Sequence, residues 1–279
     1  MRRAVPAILL LSALLLSTAM PVAAQAQRDP AWPDIRAAMW GGTDLGDGAH
    51  LIAIDSPART MNDPRTQIAA RILAPEGDAL TRVSLVLDEN PMPVSAVFDF
   101  DAPQPGFFFD VTVRVNGPTP LHVVAETATG AAFVADTFVK TSGTGACAAP
   151  PGTDPELALA TLGDMELTIS PVGGVGADPM RTLRAMAAGE RQVDLDIMHP
   201  SHSGMQMDQI SLLFIPMRYV ETLELNLDGA GFATVTGSIS LSENPSLTVS
   251  VPGGAQAVDV TMTDTDGTTT HARATVAGY

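Results

Sequence analysis

Cys147 is the only cysteine in the 279-residue chain. It stands in the middle of a segment, residues 141–153, that contains no charged, aromatic or large aliphatic residue. A thiol without apolar neighbours is expected to be exposed, and its thiolate form is a nucleophile. The segment supplies no general base, so a self-contained cysteine hydrolase is not indicated. A thiol that carries a covalent cargo for other proteins fits better, and the alternative is an incidental free cysteine in a flexible joint.

The composition of the same segment predicts a mobile linker, because such residues cannot contribute to a hydrophobic core. When extended, the six residues on each side of Cys147 span about 20 Å at most. An arm of that length can enter the active-site channel of another protein. We therefore expect residues 141–157 to form a flexible, cysteine-bearing arm.

A second group of potential ligands lies in residues 197–208, where histidines and methionines are concentrated. Imidazole and thioether groups suit copper, especially Cu(I). The candidate metal ligands are His199, His202, Met205 and Met207. Turn chemistry followed by core-filling methionines explains the same residues, and the spacing matches no metal motif. Both interpretations stay open at this point.

Net charge and the N-terminal segment limit the classes of function. The formal net charge is −16, and an acidic surface repels phosphate, so nucleic acid and anionic membranes are not expected partners. Residues 1–26 combine Arg2, Arg3, an apolar run and small residues before the predicted cleavage site, which is typical of a secretory signal peptide. No later stretch has the length of a membrane helix. We therefore expect an exported protein.

The elements that must position these residues are strands. Short segments rich in Val, Ile, Thr and Phe, separated by turn residues, predict an all-β protein. The first set of predicted strands is 66–73, 81–87, 94–100, 108–115, 120–127 and 131–139. The second set is 164–169, 191–198, 208–215, 219–226, 231–239, 246–251, 257–263 and 268–275. A short helix is expected at 34–39. We predict two β-sandwich domains, 27–140 and 158–279, joined by the flexible arm.

A weak internal repeat supports two related halves. The triplet Glu89-Asn90-Pro91 recurs as Glu243-Asn244-Pro245, 154 positions later, and each triplet precedes a predicted strand. Each half also ends with a glycine-centred turn, at Gly130 and at Gly267. The alternative is coincidence, because Asn-Pro is a common way to open a turn.

The chain resembles the sulfur-oxidation carrier SoxYZ with its two subunits fused, and in particular the SoxYZ-like carriers associated with quinoprotein dehydrogenases. Residues 45–150 are similar to SoxY through "IDSPAR", "LVLDENPMPVSAVFDF" and "FVKTSGTGACAA". Residues 160–279 are similar to SoxZ through "HPSHSGMQMD", "ISLSENPSL" and "DTDGTTTHA".

The resemblance implies two immunoglobulin-like sandwiches and a periplasmic carrier without its own catalytic constellation or cofactor. Cys147 matches the site where sulfur intermediates attach covalently, and Gly143 and Gly145 match small residues of the swinging arm. SoxY has glycines on both sides of its cysteine, whereas Ala146 and Ala148 flank this one. The implied partners are sulfur-oxidation or quinoprotein dehydrogenase-associated enzymes, and a disulfide dimer through the thiol is a further option. The alternatives are a copper-binding protein and a non-catalytic adaptor.

Overall fold

The structure is a computed structural model that describes residues 31–143, 145–146, 155–171, 189–207 and 212–276. The predicted signal peptide and Cys147 itself lie outside the described residues. The first half contains α1 (Trp32–Trp40), β1 (Leu45–Asp47), β2 (Ile52–Asp55), β3 (Thr66–Leu73), β4 (Leu80–Leu87), β5 (Val94–Gln104), β6 (Gly106–Val113), β7 (Thr119–Thr127) and β8 (Ala132–Val139). The second half contains α2 (Pro155–Ala160), β9 (Met165–Pro171), β10 (Glu190–Ile197), β11 (Val220–Leu227), β12 (Ala230–Gly237), β13 (Ser246–Pro252), β14 (Ala257–Asp264) and β15 (Thr269–Thr275).

The strands form two sheets. The larger sheet has the order β1-β8-β7-β4-β5-β12-β11-β14-β15, and the smaller one has the order β2-β3-β6-β13-β10-β9. Each order is nearly symmetric about its centre, so most strands of the first half have a counterpart in the second. In the larger sheet the corresponding strands, such as β4 and β11 or β7 and β14, begin 136 to 140 positions apart. The halves are therefore two copies of one immunoglobulin-like sandwich.

Alternating burial along the strands explains why the sheets stack. In β14 the buried side chains Val258, Val260 and Met262 alternate with partly exposed ones, so one face of the strand enters the core. Phe98, Phe107 and Phe109 lie in the same continuous core, and all three are almost fully buried. This core includes residues of both halves.

The two halves are joined edge to edge in both sheets. β5 pairs antiparallel with β12 from Ala96 to Phe100, and β6 pairs antiparallel with β13 from Phe109 to Val111. We call these two strand pairs the seam. Residues from Ala31 onward form one compact unit, so the two predicted sandwiches share their sheets. The sequence did not predict this pairing.

The prediction of a strand at 208–215 is wrong for residues 212–215, the part that the structure describes, because they do not form a strand. Phe214 makes only an isolated bridge with Met207, and Leu212 has a positive φ of 57°, which an extended strand does not allow. Leu212, Leu213 and Phe214 are 68 to 70% exposed. The apolar run therefore has no sheet face to bury, although its composition resembles that of a strand.

The repeat is confirmed for one of its two motifs. Gly130 and Gly267 occupy corresponding turns, β7–β8 and β14–β15, and both have positive φ. The Glu-Asn-Pro triplets lie in loops that do not correspond, between β4 and β5 and between β12 and β13. Their spacing of 154 positions also differs from the structural repeat of 136 to 140. The triplets are therefore similar turns at different places.

The predicted N-terminal helix is present as α1, which covers the outer face of the larger sheet. Trp40 packs with Val86 and Val124 of that sheet, and its indole N–H donates to Glu126 at 3.1 Å. No helix in the described part of the chain is long and apolar enough to span a membrane.

Candidate functional site

The residues that lead to Cys147 are held by one buried carboxylate. Asp63 is fully buried, and it accepts backbone N–H groups from Ser142 at 2.7 Å, Gly143 at 3.1 Å and Gly145 at 3.3 Å. Gly143 and Gly145 have φ of 95° and 84°, which glycine adopts without strain. Positive φ at these positions turns the successive amides toward a common acceptor.

The hydrogen bonds also set the ionisation of Asp63. Burial by itself raises the pKa of this carboxyl group, but the hydrogen bonds from Ser142, Gly145 and Gly143 outweigh burial and hold the pKa below its usual value. The group is therefore a carboxylate at neutral pH, and the bonds that it accepts are charge-assisted.

Ala146, the residue before Cys147, lies in a narrow cleft beside the seam. It is 1% exposed. The other residues that line the cleft include Asn90, Arg114 and Asn116 of the first half and Ser203, Met205 and Ser240 of the second half. The structure thus brings the predicted arm and the predicted His/Met segment to one place, through Ala146 and Met205.

The prediction of a mobile arm that begins at residue 141 is corrected by these contacts. Ser142 and the glycines after it are bonded to Asp63, and Ala146 is buried. The composition suggested mobility because the segment has no side chains for a core, but its backbone amides find an acceptor elsewhere in the chain. Cys147 and the rest of the predicted arm up to residue 154 lie outside the described residues, and the predicted end of the arm, 155–157, is corrected because these residues begin the helix α2.

Asn90 and Arg114 connect the two walls of the cleft. The Asn90 amide donates to the Arg114 carbonyl at 2.8 Å and to Ser240 Oγ at 2.9 Å. The Arg114 guanidinium donates to the carbonyls of Ile239 at 3.1 Å and Leu241 at 2.5 Å. Because both donors are buried, these bonds fix the first half against the second at the point where the arm begins.

The loop that carries the predicted metal ligands is held by a buried network around Asp264. His199 is 1% exposed, and its Nδ1 accepts the Ser201 backbone N–H at 2.9 Å. The proton of the neutral ring is therefore on Nε2, which faces Asp264 Oδ2 at 3.4 Å. The same carboxylate accepts Arg218 Nε at 2.7 Å and the Thr268 backbone N–H at 2.8 Å. Both ring nitrogens of His199 are thus engaged within the fold.

The other predicted ligands are on the surface or bonded to neighbours. His202 Nδ1 lies 2.8 Å from Gln206 Oε1, while Met205 and Met207 are 45% and 54% exposed. Among the described residues there is no group of three or more His, Cys, Asp or Glu side chains that could hold a metal ion. The copper interpretation stays a prediction, and Cu(I) titration of the protein with and without His199→Ala and His202→Ala tests it.

Burial keeps His199 neutral and makes stability depend on pH. Desolvation lowers the pKa of His199 to about 4, against a smaller opposing effect of Asp264. The unfolded chain binds this proton near pH 6.5 and the folded chain only near pH 4, so stability is fully present above pH 6.5 and is lost as pH falls. We expect a loss of about 2 kcal/mol in the free energy of unfolding between about pH 7 and about pH 5.

The pH effect is measured by denaturant titration of the wild type and of His199→Gln, which cannot titrate. The dependence should be weaker in that variant. The matched control is His271→Gln on strand β15, which leaves His199 and its contacts in place. Equal pH dependence in all three proteins would contradict the assignment to His199.

Sequence reasoning missed a second buried pair, which lies under α1. The Asp88 carboxyl lies 3.4 Å from His122 Nε2, and Trp32 stacks on the His122 ring with centroids 3.8 Å apart. Burial raises the pKa of Asp88 and lowers the pKa of His122. Asp63, Asn90 and Arg114 were also missed as site residues, although the Asn90-Pro91 turn was noticed.

Comparison with known proteins gives two family matches. The model for "Sulfur oxidation protein SoxY" matches residues 36–147, and so ends at the cysteine. The model for "Sulphur oxidation protein SoxZ" matches residues 180–275. A search of curated proteins finds no match.

Solved structures with similarity to the chain include the sulfur carrier protein SoxY from Chlorobium limicola f thiosulfatophilum. It is 22% identical, covers 40% of this chain and 96% of its own, and has a TM-score of 0.35. Two variants of a superoxide reductase (neelaredoxin) from Ignicoccus hospitalis are 13% and 14% identical. They cover 33% and 39% of this chain and 80% and 92% of their own, and each has a TM-score of 0.27.

Proposed function

The chain joins a SoxY segment and a SoxZ segment in one polypeptide, and on that premise we propose that it is a periplasmic carrier that holds sulfur intermediates covalently on Cys147. In this proposal other enzymes load the thiol, modify the attached group and release it. The chain itself supplies the attachment point and the surface around it.

One observation carries the proposal. Ala146 is buried in the cleft between the halves, one peptide bond before Cys147, and Asp63 holds the residues that precede it. The described chain is therefore docked up to the residue that directly precedes the proposed attachment site. An incidental cysteine in a loose joint would not need such support.

The chemistry expected of Cys147 requires a partner. Joining a thiolate sulfur to the outer sulfur of thiosulfate forms an S–S bond and releases two electrons, which an oxidoreductase must accept. The formal net charge of −16 repels a small anion such as thiosulfate. We therefore propose that loading takes place inside a complex with a sulfur-oxidation or quinoprotein dehydrogenase-associated enzyme, where the partner brings both the cargo and the oxidant.

Intact-mass spectrometry of the protein purified from its native periplasm tests the proposal. We expect mass additions that correspond to sulfur or thiosulfate, which a reducing agent removes and which are absent in Cys147→Ser. A protein whose thiol is always unmodified, together with unchanged sulfur oxidation in Cys147→Ser cells, would reject the carrier function. The same spectra test export, because the mature chain should begin at Gln25 or Gln27.

A further inference from the structure

We propose that Asp63 is a latch, which holds the start of the arm and determines how far Cys147 can travel. The inference builds on the proposed carrier function, because travel matters only if the thiol must reach other proteins. In the latched state Ser142, Gly143 and Gly145 are bonded to Asp63, and Ala146 lies in the cleft. In the released state the same residues become a tether.

The latch has the features of a specific site. Both carboxylate oxygens of Asp63 are used, Oδ1 by the Ser142 amide and Oδ2 by the amides of Gly143 and Gly145. Asp63 is itself fixed, because its carbonyl accepts the Val115 backbone N–H at 2.9 Å. Asp63 and these three amides are 79 to 82 positions apart in sequence, so the contact joins distant parts of the chain.

The latch changes the reach of the thiol several-fold. While Ala146 is docked, the Cα of Cys147 lies about 3.8 Å from that of Ala146. The last residue held independently of Asp63 is Thr141, whose carbonyl accepts the Arg59 guanidinium at 2.7 Å. If the bonds to Asp63 break, five residues lie between this anchor and Cys147, and the six Cα–Cα steps extend to about 20 Å.

The described bonds of the latch come from Ser142, Gly143 and Gly145, and the Ser142 side chain takes part beside the backbone amides. None of these bonds is made by the Cys147 sulfur, so loading a group on that sulfur does not remove any of them. When a partner enzyme draws the arm into its own active site, Asp63 loses the hydrogen bonds from the arm. The binding of that partner must compensate for their loss. A partner that works at the cleft can leave the latch closed. Asp63 is thus a positioning residue that separates these two kinds of partner.

The latch is tested on the full-length mature protein without cargo. Hydrogen exchange is measured at the amides of Ser142, Gly143 and Gly145, and a nitroxide label on Cys147 reports the mobility of the arm. In the wild type we expect protected amides and a slowly moving label. In Asp63→Asn the exchange of these amides should accelerate at least about tenfold, because a neutral amide replaces a charged acceptor. The label should become mobile.

Variants on the arm side keep the test independent of the folding of Asp63→Asn. Gly145→Ala should release the arm, because alanine is strained at a φ of 84° and no neighbouring atom would clash with the new Cβ. The matched control is Gly130→Ala, where φ is 85° and the surroundings are equally open, but which lies in the β7–β8 turn. That control should leave the exchange of the arm amides unchanged.

Two results would overturn the latch. One is rapid, unprotected exchange of the three amides in the wild type. The other is unchanged protection and label mobility in both Asp63→Asn and Gly145→Ala. These measurements use the unloaded protein, so they are separate from the carrier function. If no sulfur adduct forms on Cys147 while the amides are protected, the carrier proposal fails and the latch remains.

Discussion

Replacing Phe98 by alanine is expected to lower the free energy of unfolding by about 3–5 kcal/mol, the range for removing a buried phenylalanine side chain. Phe98 is fully buried on β5, where it pairs with Val235 across the seam. Its ring lies 4.9 Å from that of Phe109 and 5.1 Å from that of Phe107, measured between centroids. Alanine would leave a cavity where the two halves meet.

The location of Phe98 makes the variant a test of cooperativity as well. Because both sheets run through the seam, we expect one unfolding transition, shifted equally for both halves. Tryptophan fluorescence reports the first half, which contains Trp32 and Trp40, and hydrogen exchange of β14 reports the second. The matched control is Phe138→Ala, since Phe138 is 48% exposed and should change stability little. Two separate transitions, with only the first half affected, would show that the halves unfold independently.

Replacing Asp264 by asparagine is expected to cost about 3 kcal/mol of stability. The carboxylate is fully buried and ion-paired with Arg218, and it also accepts the Nε2 proton of His199. Removing one partner of a buried ion pair leaves the other charge poorly compensated. We take the lower end of the usual range because the Arg218 side chain is 18% exposed. Burial by itself raises the pKa of Asp264, but the bonds from Arg218 and Thr268 outweigh burial and lower it.

The control for this prediction lies two residues away. Asp266 also approaches Arg218, at 3.4 Å, but its side chain is 59% exposed, so Asp266→Asn should cost less than about 1 kcal/mol. Chemical denaturation of the two variants gives the comparison. In Asp264→Asn we also expect faster hydrogen exchange of the amides in the 199–207 loop, because His199 anchors that loop. Equal stability of the two variants would show that the buried network contributes nothing.

Strand positions could be predicted from sequence because burial alternates locally. The predicted strands at 66–73 and 257–263 agree with β3 and β14 to within one residue. The helix predicted at 34–39 is also present. The apolar run at 212–215 misled the prediction, because composition does not reveal whether a sheet face is available to receive it. Strands as short as β1 and β2 give too few alternating residues to be recognised.

The seam could not be predicted, because a strand does not specify its neighbour in sequence. β5 and β12 each show ordinary alternation, and nothing in either segment indicates which backbone edge it will pair with. The site has the same limitation. Cys147, Gly143 and Gly145 could be selected by residue type and position, but Asp63 is one of many acidic residues and its donors lie about 80 positions away. Contacts over such distances leave no local signal.

Because the seam joins two halves of one chain, it fixes their stoichiometry at one to one. Two separate chains joined by such an interface would dissociate on dilution, and their pairing would depend on how much of each the cell makes. Within one polypeptide, the covalent connection keeps each half at a high effective concentration around the other. In every molecule, both halves therefore contribute residues to the cleft around Ala146. The protein can therefore be diluted without losing the half that completes its cleft.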